Sequence, residues 1–128
     1  MKRQIKFRAW DEDRKIMINP ISGNYSLYID EEDGVSLYCG GYMDNGDWNE
    51  PPLMQWTGFV DENGVEVYEG DVISSNHWNP SEYKVIFDDG KFCFVSLNEV
   101  ERPYTNPIHY VKNFAVVGNI YEHPELLN

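Results

Sequence analysis

Apolar and polar residues alternate with a period of two in short runs, and turn-forming residues close each run. That rhythm predicts strands joined by tight turns. In residues 5–10, Ile5, Phe7 and Ala9 alternate with Lys6, Arg8 and Trp10, the pattern of a half-buried strand. Asp11-Glu12-Asp13-Arg14 predicts a turn, and residues 15–18 its returning partner. After a loop marked by Pro20, Gly23 and Asn24, residues 25–29 and 35–39 read as two strands flanking the hairpin dipeptide Asp33-Gly34. Over residues 40–52 the alternation stops, and Gly, Asn, Pro, Asp and Glu take over. This predicts a connection between an N-terminal lobe of about 1–50 and a C-terminal part of about 53–128, within a single domain.

The C-terminal part is more regular. Asn63-Gly64 predicts a tight hairpin, both residues supplying the positive φ angles it demands, between Phe59-Val60 and residues 65–68. Val65 and Val67 are expected to face the core, with Glu66 in solvent. A second turn falls at Glu69-Gly70-Asp71, ahead of a strand that starts at Val72-Ile73. Residues 74–81 read as a polar surface loop holding His77, Trp78 and Pro80. Tyr83, Val85 and Phe87 alternate with Lys84 and Ile86; Asp88-Asp89-Gly90 turns the chain, and Phe92 and Phe94 return opposite Cys93 and Val95, with the aromatic residues of this hairpin expected to face inward. Pro103 and Pro107 argue against a long helix over 97–113. Residues 114–117 read as a buried strand ended by Gly118-Asn119, and Pro124 is suited to the first position of a short helical turn.

The fold class that follows is mainly β. Turns this closely spaced favour a C-terminal SH3-like small barrel with an N-terminal β-rich lobe and a short C-terminal helical turn. Composition agrees, since 41% hydrophobic and 15% aromatic residues are too apolar for a disordered chain. The 22 acidic residues outnumber 10 basic ones, for a net charge of −12. Affinity for phosphate backbones comes largely from Lys and Arg, so direct nucleic-acid or anionic-membrane binding is disfavoured. No run approaches the ~18 apolar residues of a membrane span. Lys2, Arg3, Lys6 and Arg8 interrupt the N-terminus without an apolar stretch behind them, which predicts a cytoplasmic chain with reduced thiols.

Candidate chemistry is sparse. Glu69 and Asp71 lie two residues apart, a spacing open to metal binding or acid–base work, yet turn chemistry is enough to account for Asp71, as an acceptor for the backbone N–H groups of its own turn, and the structural reading is favoured. Asp88-Asp89-Gly90 lacks the acidic loop and terminal Glu of a calcium site and makes sense as a hairpin turn. His77, His109 and His123 are scattered without zinc spacing. A Cys–His nucleophile pair would need Cys39 or Cys93 to meet His109 in space, and Cys93 between two Phe residues is expected to be inert. No phosphate loop, dinucleotide fingerprint or nucleophile elbow is present. No catalytic residue, metal ligand or cofactor is therefore assigned, and the chain reads as a non-enzyme. Trp48 and Trp78, on loops rich in Gly, Asp and Asn, either anchor a partner or fold back as plugs over the barrel ends.

Several blocks stand in a fixed order: Lys6-Phe7-Arg8-Ala9-Trp10-Asp11, Leu53-Met54-Gln55 through Thr57-Gly58, Asp61, Asn63-Gly64 and Tyr68-Glu69-Gly70-Asp71. The strand–Asp-Gly–strand of residues 85–94, Gly118-Asn119-Ile120-Tyr121-Glu122 and Pro124-Glu125-Leu126-Leu127 complete the set. In these blocks the chain resembles the YopX family of small phage and prophage proteins. Trp56 departs from the family's usual Tyr or Phe, and Glu62 and Val65 occupy positions often held by Lys. The resemblance implies a phage or prophage origin in a bacterial host cell and a C-terminal SH3-like barrel. It implies no activity, the family having no established biochemical function. The leading functional expectation is an accessory protein that binds a host or phage protein, or itself, through Asp44, Asp47, Trp48 and Trp78. The alternatives are an acidic nucleic-acid mimic that inhibits a host DNA-binding protein, and a small metal-dependent hydrolase using Glu69, Asp71, Asp88 or Asp89.

Overall fold

A computed structural model describes residues 3–22, 25–32, 34–39, 51–97 and 104–127. The chain is mainly β and divides into two compact units, Lys6–Met54 and Gln55–Asn128, the latter grouped with Met1–Ile5.

In the N-terminal unit, β1 (Phe7–Asp11) pairs antiparallel with β2 (Ile16–Ile18). The turn between them is set by Asp11, whose Oδ1 accepts the N–H groups of Asp13 and Arg14, both at 3.1 Å. Its Oδ2 takes the Arg14 Nε–H at 2.8 Å, and Lys15 closes the turn at φ 56°. β3 (Tyr25–Asp30) and β4 (Gly34–Cys39) form the expected hairpin with Gly34 at φ 78°, while Asp33 lies outside the described residues. Ala9, Ile18 and Leu37 make a small core, with Ile21, Tyr25 and Leu53 packed on it. Arg8 and Trp10, placed on a polar face by simple alternation, are buried with Ala9.

The C-terminal unit is the small barrel. The chain enters it along β5 (Leu53–Val60) and turns into β6 (Glu66–Tyr68). β7 (Asp71–Ser74), β8 (Glu82–Asp88), β9 (Lys91–Ser96), β10 (Asn106–Pro107) and β11 (Ala115–Asn119) form a sheet of order β10-β9-β8-β7-β11. A 3₁₀ helix over Ile108–Asn113 leads into β11, and a second runs over Pro124–Leu127 with Pro124 first, as its sequence position suggests. Val67, Ile73, Tyr83, Val85, Phe94, Val111 and Phe114 form the core. Removing each of these larger side chains from water contributes roughly 1.5–3 kcal/mol before chain entropy is counted.

The turns show how local chemistry builds the barrel. Asp89 (φ 52°) and Gly90 (φ 78°) both take positive φ, so Asp88–Lys91 is a two-residue hairpin of the primed type. The other hairpin differs from expectation. Only Gly64 takes positive φ (82°), because the turn has three residues: the Asp61 N–H donates to Val65 O at 2.8 Å and the Gly64 N–H to Asp61 O at 3.1 Å. Val65 thereby falls in the turn closure and stays exposed, while Val67 is fully buried. Phe87, expected among the inward aromatics, is also exposed. It lies at the hairpin tip against Phe92 at 5.1 Å. Both alternating faces of β9 are covered, so Cys93, Phe94 and Val95 are all buried.

One buried carboxylate joins the open edge of the sheet to the first hairpin. Asp61, 4% exposed, accepts the Asn63 and Val65 N–H groups on Oδ1 at 2.8 Å each and the Val116 N–H on Oδ2 at 2.9 Å. Beside it, the Glu62 N–H donates to Phe114 O at 2.9 Å. The β5–β6 turn is thus bonded to β11, 55 residues further along the chain. At the other end, Gly70 N–H donates to Val85 O (2.8 Å) while Gly70 O accepts from Ile120 N–H (2.9 Å). The C-terminal tail docks through Asn119, whose Oδ1 accepts the Tyr121 and Glu122 N–H groups.

Candidate functional site

The loop after β7 carries the most distinctive surface of the barrel. Ser75 N–H donates to Ser81 O at 2.9 Å and closes the loop at its base. Inside it, Ser75 Oγ accepts the His77 N–H at 3.2 Å and Ser75 O the Trp78 N–H at 3.4 Å, which turns the chain back toward the barrel. The Trp78 ring lands on the core. Its centroid lies 5.0 Å from Phe114, 5.5 Å from Tyr110, 5.7 Å from Phe94 and 5.8 Å from Tyr83, tilted or edge-on to each. Four tilted or edge-on contacts hold the indole in one orientation, since aromatic quadrupoles favour such arrangements over face-to-face stacking. Trp78 is a plug at the barrel end, one of the two roles its loop position left open.

It is not wholly covered. The half-buried Trp78 lines an open depression of about 510 Å³ with Glu62, Ser75, His77, Lys112 and Asn113. The site therefore combines a fixed aromatic surface with a rim of both charge signs. Glu62 reaches it because the neighbouring Asp61 fixes the hairpin turn. Lys112 and Asn113 reach it from the end of the 3₁₀ helix that packs Val111 into the core. Sequence reasoning missed Glu62, Ser75 and Lys112, which lie in three separate stretches with no common motif. Asp44, Asp47 and Trp48 lie outside the described residues.

The acidic candidates have other work in the fold. Asp71, 1% exposed, accepts the Tyr68 N–H on Oδ2 at 2.8 Å. Glu69 Oε1 accepts the Gln55 N–H at 2.8 Å, and burial pushes its carboxyl above the usual glutamate range. Burial, reinforced by the Glu69 charge, also raises the Tyr121 phenol. Asp88 and Asp89 frame the β8–β9 turn and are exposed. Among the described residues, no three His, Cys, Asp or Glu side chains come together as a metal site would require. Cys93 is buried and outside any disulfide, and burial, with the Asp88 charge, raises its thiol. No helix among the described residues is long and apolar enough to cross a membrane.

The fold and site define a small β-barrel protein with an aromatic-floored surface depression. The family profile described as YopX protein matches residues 6–128, and the chain belongs to the YopX family. Among solved structures, protein EF1440 from Enterococcus faecalis is similar with a TM-score of 0.63 and 28% identity, over 98% of this chain and 99% of that one. Protein YopX from Bacillus subtilis shares the fold with a TM-score of 0.56 and 24% identity, over 95% and 97% of the two chains. A comparison with curated proteins finds no match.

Proposed function

We propose that this protein is a non-enzymatic accessory protein of phage or prophage origin, acting in the bacterial cytoplasm by binding another protein through the depression at Trp78. The observation that carries this reading is the indole held by four aromatic neighbours at the floor of an open, mixed-charge surface. A partner pays little ordering entropy at a ring already fixed, and this is why rigid aromatics dominate interface energetics. Glu62 and Lys112 on the rim supply opposite charges that orient a partner, and exchanging them would set like charges against its complementary groups at a cost of several kcal/mol.

Trp78→Ala would disturb the core as well as the surface, so the rim is the better test. In a Glu62→Lys/Lys112→Glu double variant the barrel keeps its core while the rim charges exchange places. Affinity capture from host lysate, with and without phage, should lose its specific partner in that variant and keep it in the wild type. Self-association would appear instead as a concentration-dependent mass in light scattering.

The net charge of −12 supports a second reading, an acidic nucleic-acid mimic that inhibits a host DNA-binding protein. Its complexes would dissolve between low and high salt, whereas an anchor at Trp78 predicts a salt-resistant one. A hydrolytic role for Glu69 and Asp71 has less support, because both carboxylates accept backbone N–H groups that shape the barrel.

A further inference from the structure

A second cavity of the C-terminal unit opens where two strands part. β10 pairs with β9 only at Asn106↔Phe94 and Pro107↔Cys93, and the chain then leaves as a 3₁₀ helix from Ile108. Among the described residues, the first residues of β9, Lys91 and Phe92, have no strand partner on that side and border a gap. The gap is a cleft of about 310 Å³. Its apolar lining comes from Phe59, Phe92, Cys93 and Ile108, and its exposed residues include Lys91 and His109. Although the chain has 22 acidic residues, no described Asp or Glu lines this cleft. Asp88 stands opposite Lys91 across the turn, outside the lining. The cleft shares no residue with the depression at Trp78.

We propose that this cleft binds a small organic acid, its aromatic or branched hydrocarbon body against Phe59, Phe92, Cys93 and Ile108 and its carboxylate at Lys91, with His109 as a second donor. The volume is at the lower end of the range for ligand pockets, roughly 300–1,000 Å³, and limits the occupant to a molecule of fragment size. The charge of the site selects an anion, and the apolar wall selects against inorganic ones, which have no hydrocarbon to bury.

The test is titration of ¹⁵N-labelled protein with phenylacetate, 4-methylpentanoate and the neutral analogue phenylacetamide, read from amide chemical shifts. Shifts should cluster at Phe59, residues 91–93 and residues 105–109. The acid should bind about tenfold more tightly than the amide, the difference expected of a charge-assisted bond over a neutral one. Lys91→Met, on an exposed hairpin position, should remove most of that advantage and leave amide affinity unchanged, the spectrum itself reporting that the fold survives. Equal binding of acid and amide would overturn the proposal. So would an acid preference that survives Lys91→Met intact, shifts elsewhere on the barrel, or no shifts with any probe.

Discussion

Replacing Asp61 tests whether one carboxylate holds the barrel closed. Its three accepted bonds, at 2.8, 2.8 and 2.9 Å, are all to backbone N–H groups, and the side chain is 4% exposed. Bonds to a charged group are worth about 1.5–3 kcal/mol each, but the three do not cost the same to lose. Asn63 and Val65 are exposed turn residues whose N–H groups can turn to water, so each loss should cost about 0.5–1 kcal/mol. The Val116 N–H lies at the half-buried edge of β11, where losing its acceptor should cost about 1–2 kcal/mol. Asp61→Ala should therefore destabilise the C-terminal unit by about 3 kcal/mol, a large share of the 5–15 kcal/mol typical of a domain. With a urea m-value of about 1.5 kcal/mol/M, the unfolding midpoint should fall by about 2 M. Asp61→Asn separates the parts. Its carbonyl oxygen can still serve Asn63 and Val65, but its NH₂ then meets the Val116 N–H donor to donor, for a loss of about 1–2 kcal/mol. Urea unfolding followed by circular dichroism, with amide exchange to localise the effect, checks both values. An Asp61→Ala change below about 0.5 kcal/mol, or an Asn variant weaker than the Ala variant, would refute this account of the closure.

The remaining predictions concern burial and close packing. Burial raises the Glu69 carboxyl in the folded state, so its charge opposes folding at neutral pH and the penalty fades as pH falls through the folded pKa toward the unfolded value. Glu69→Gln, which keeps an acceptor for the Gln55 N–H, should raise the melting temperature at pH 7 and lose that advantage near pH 4; an equal gap at both pH values would contradict it. A Cβ on Gly118 would lie 2.8 Å from both His123 Nδ1 and Leu126 Cδ1, so Gly118→Ala should displace the C-terminal 3₁₀ helix and cost about 1–3 kcal/mol in chemical unfolding. In a Cys39→Ser background, Cys93 should resist disulfide-exchange reagents at neutral pH and react fully on unfolding; rapid labelling of the native protein would show that its burial is not persistent.

What was legible in the chain was local. The Asp88-Asp89-Gly90 turn could be read because two positive φ angles are a requirement of the turn itself, and Asp and Gly meet it cheaply. Pro124 likewise announces the final 3₁₀ helix. Asn63-Gly64 misled on turn type because the choice was made elsewhere: the Asp61 carboxylate accepts two turn N–H groups, which favours the three-residue form and leaves Val65 outside. Alternation placed Phe87 inward but carries no information on where a hairpin outruns its barrel. The depression at Trp78 draws residues from three separate stretches, and only the closure of the sheet by Asp61 and Val116 brings Glu62 beside the others. No periodicity within one strand encodes such a contact.

The central claim, that the surface at Trp78 is where this protein meets its partner, is tested most directly by photo-crosslinking in living cells. A photoreactive phenylalanine would replace Lys112 on the rim, and in a parallel strain Asp89 at the exposed β8–β9 turn. The account predicts one discrete crosslinked protein from position 112, retained after a high-salt wash, and none from position 89. Identical patterns from both positions, or no crosslink at 112 from a folded and expressed protein, would contradict it.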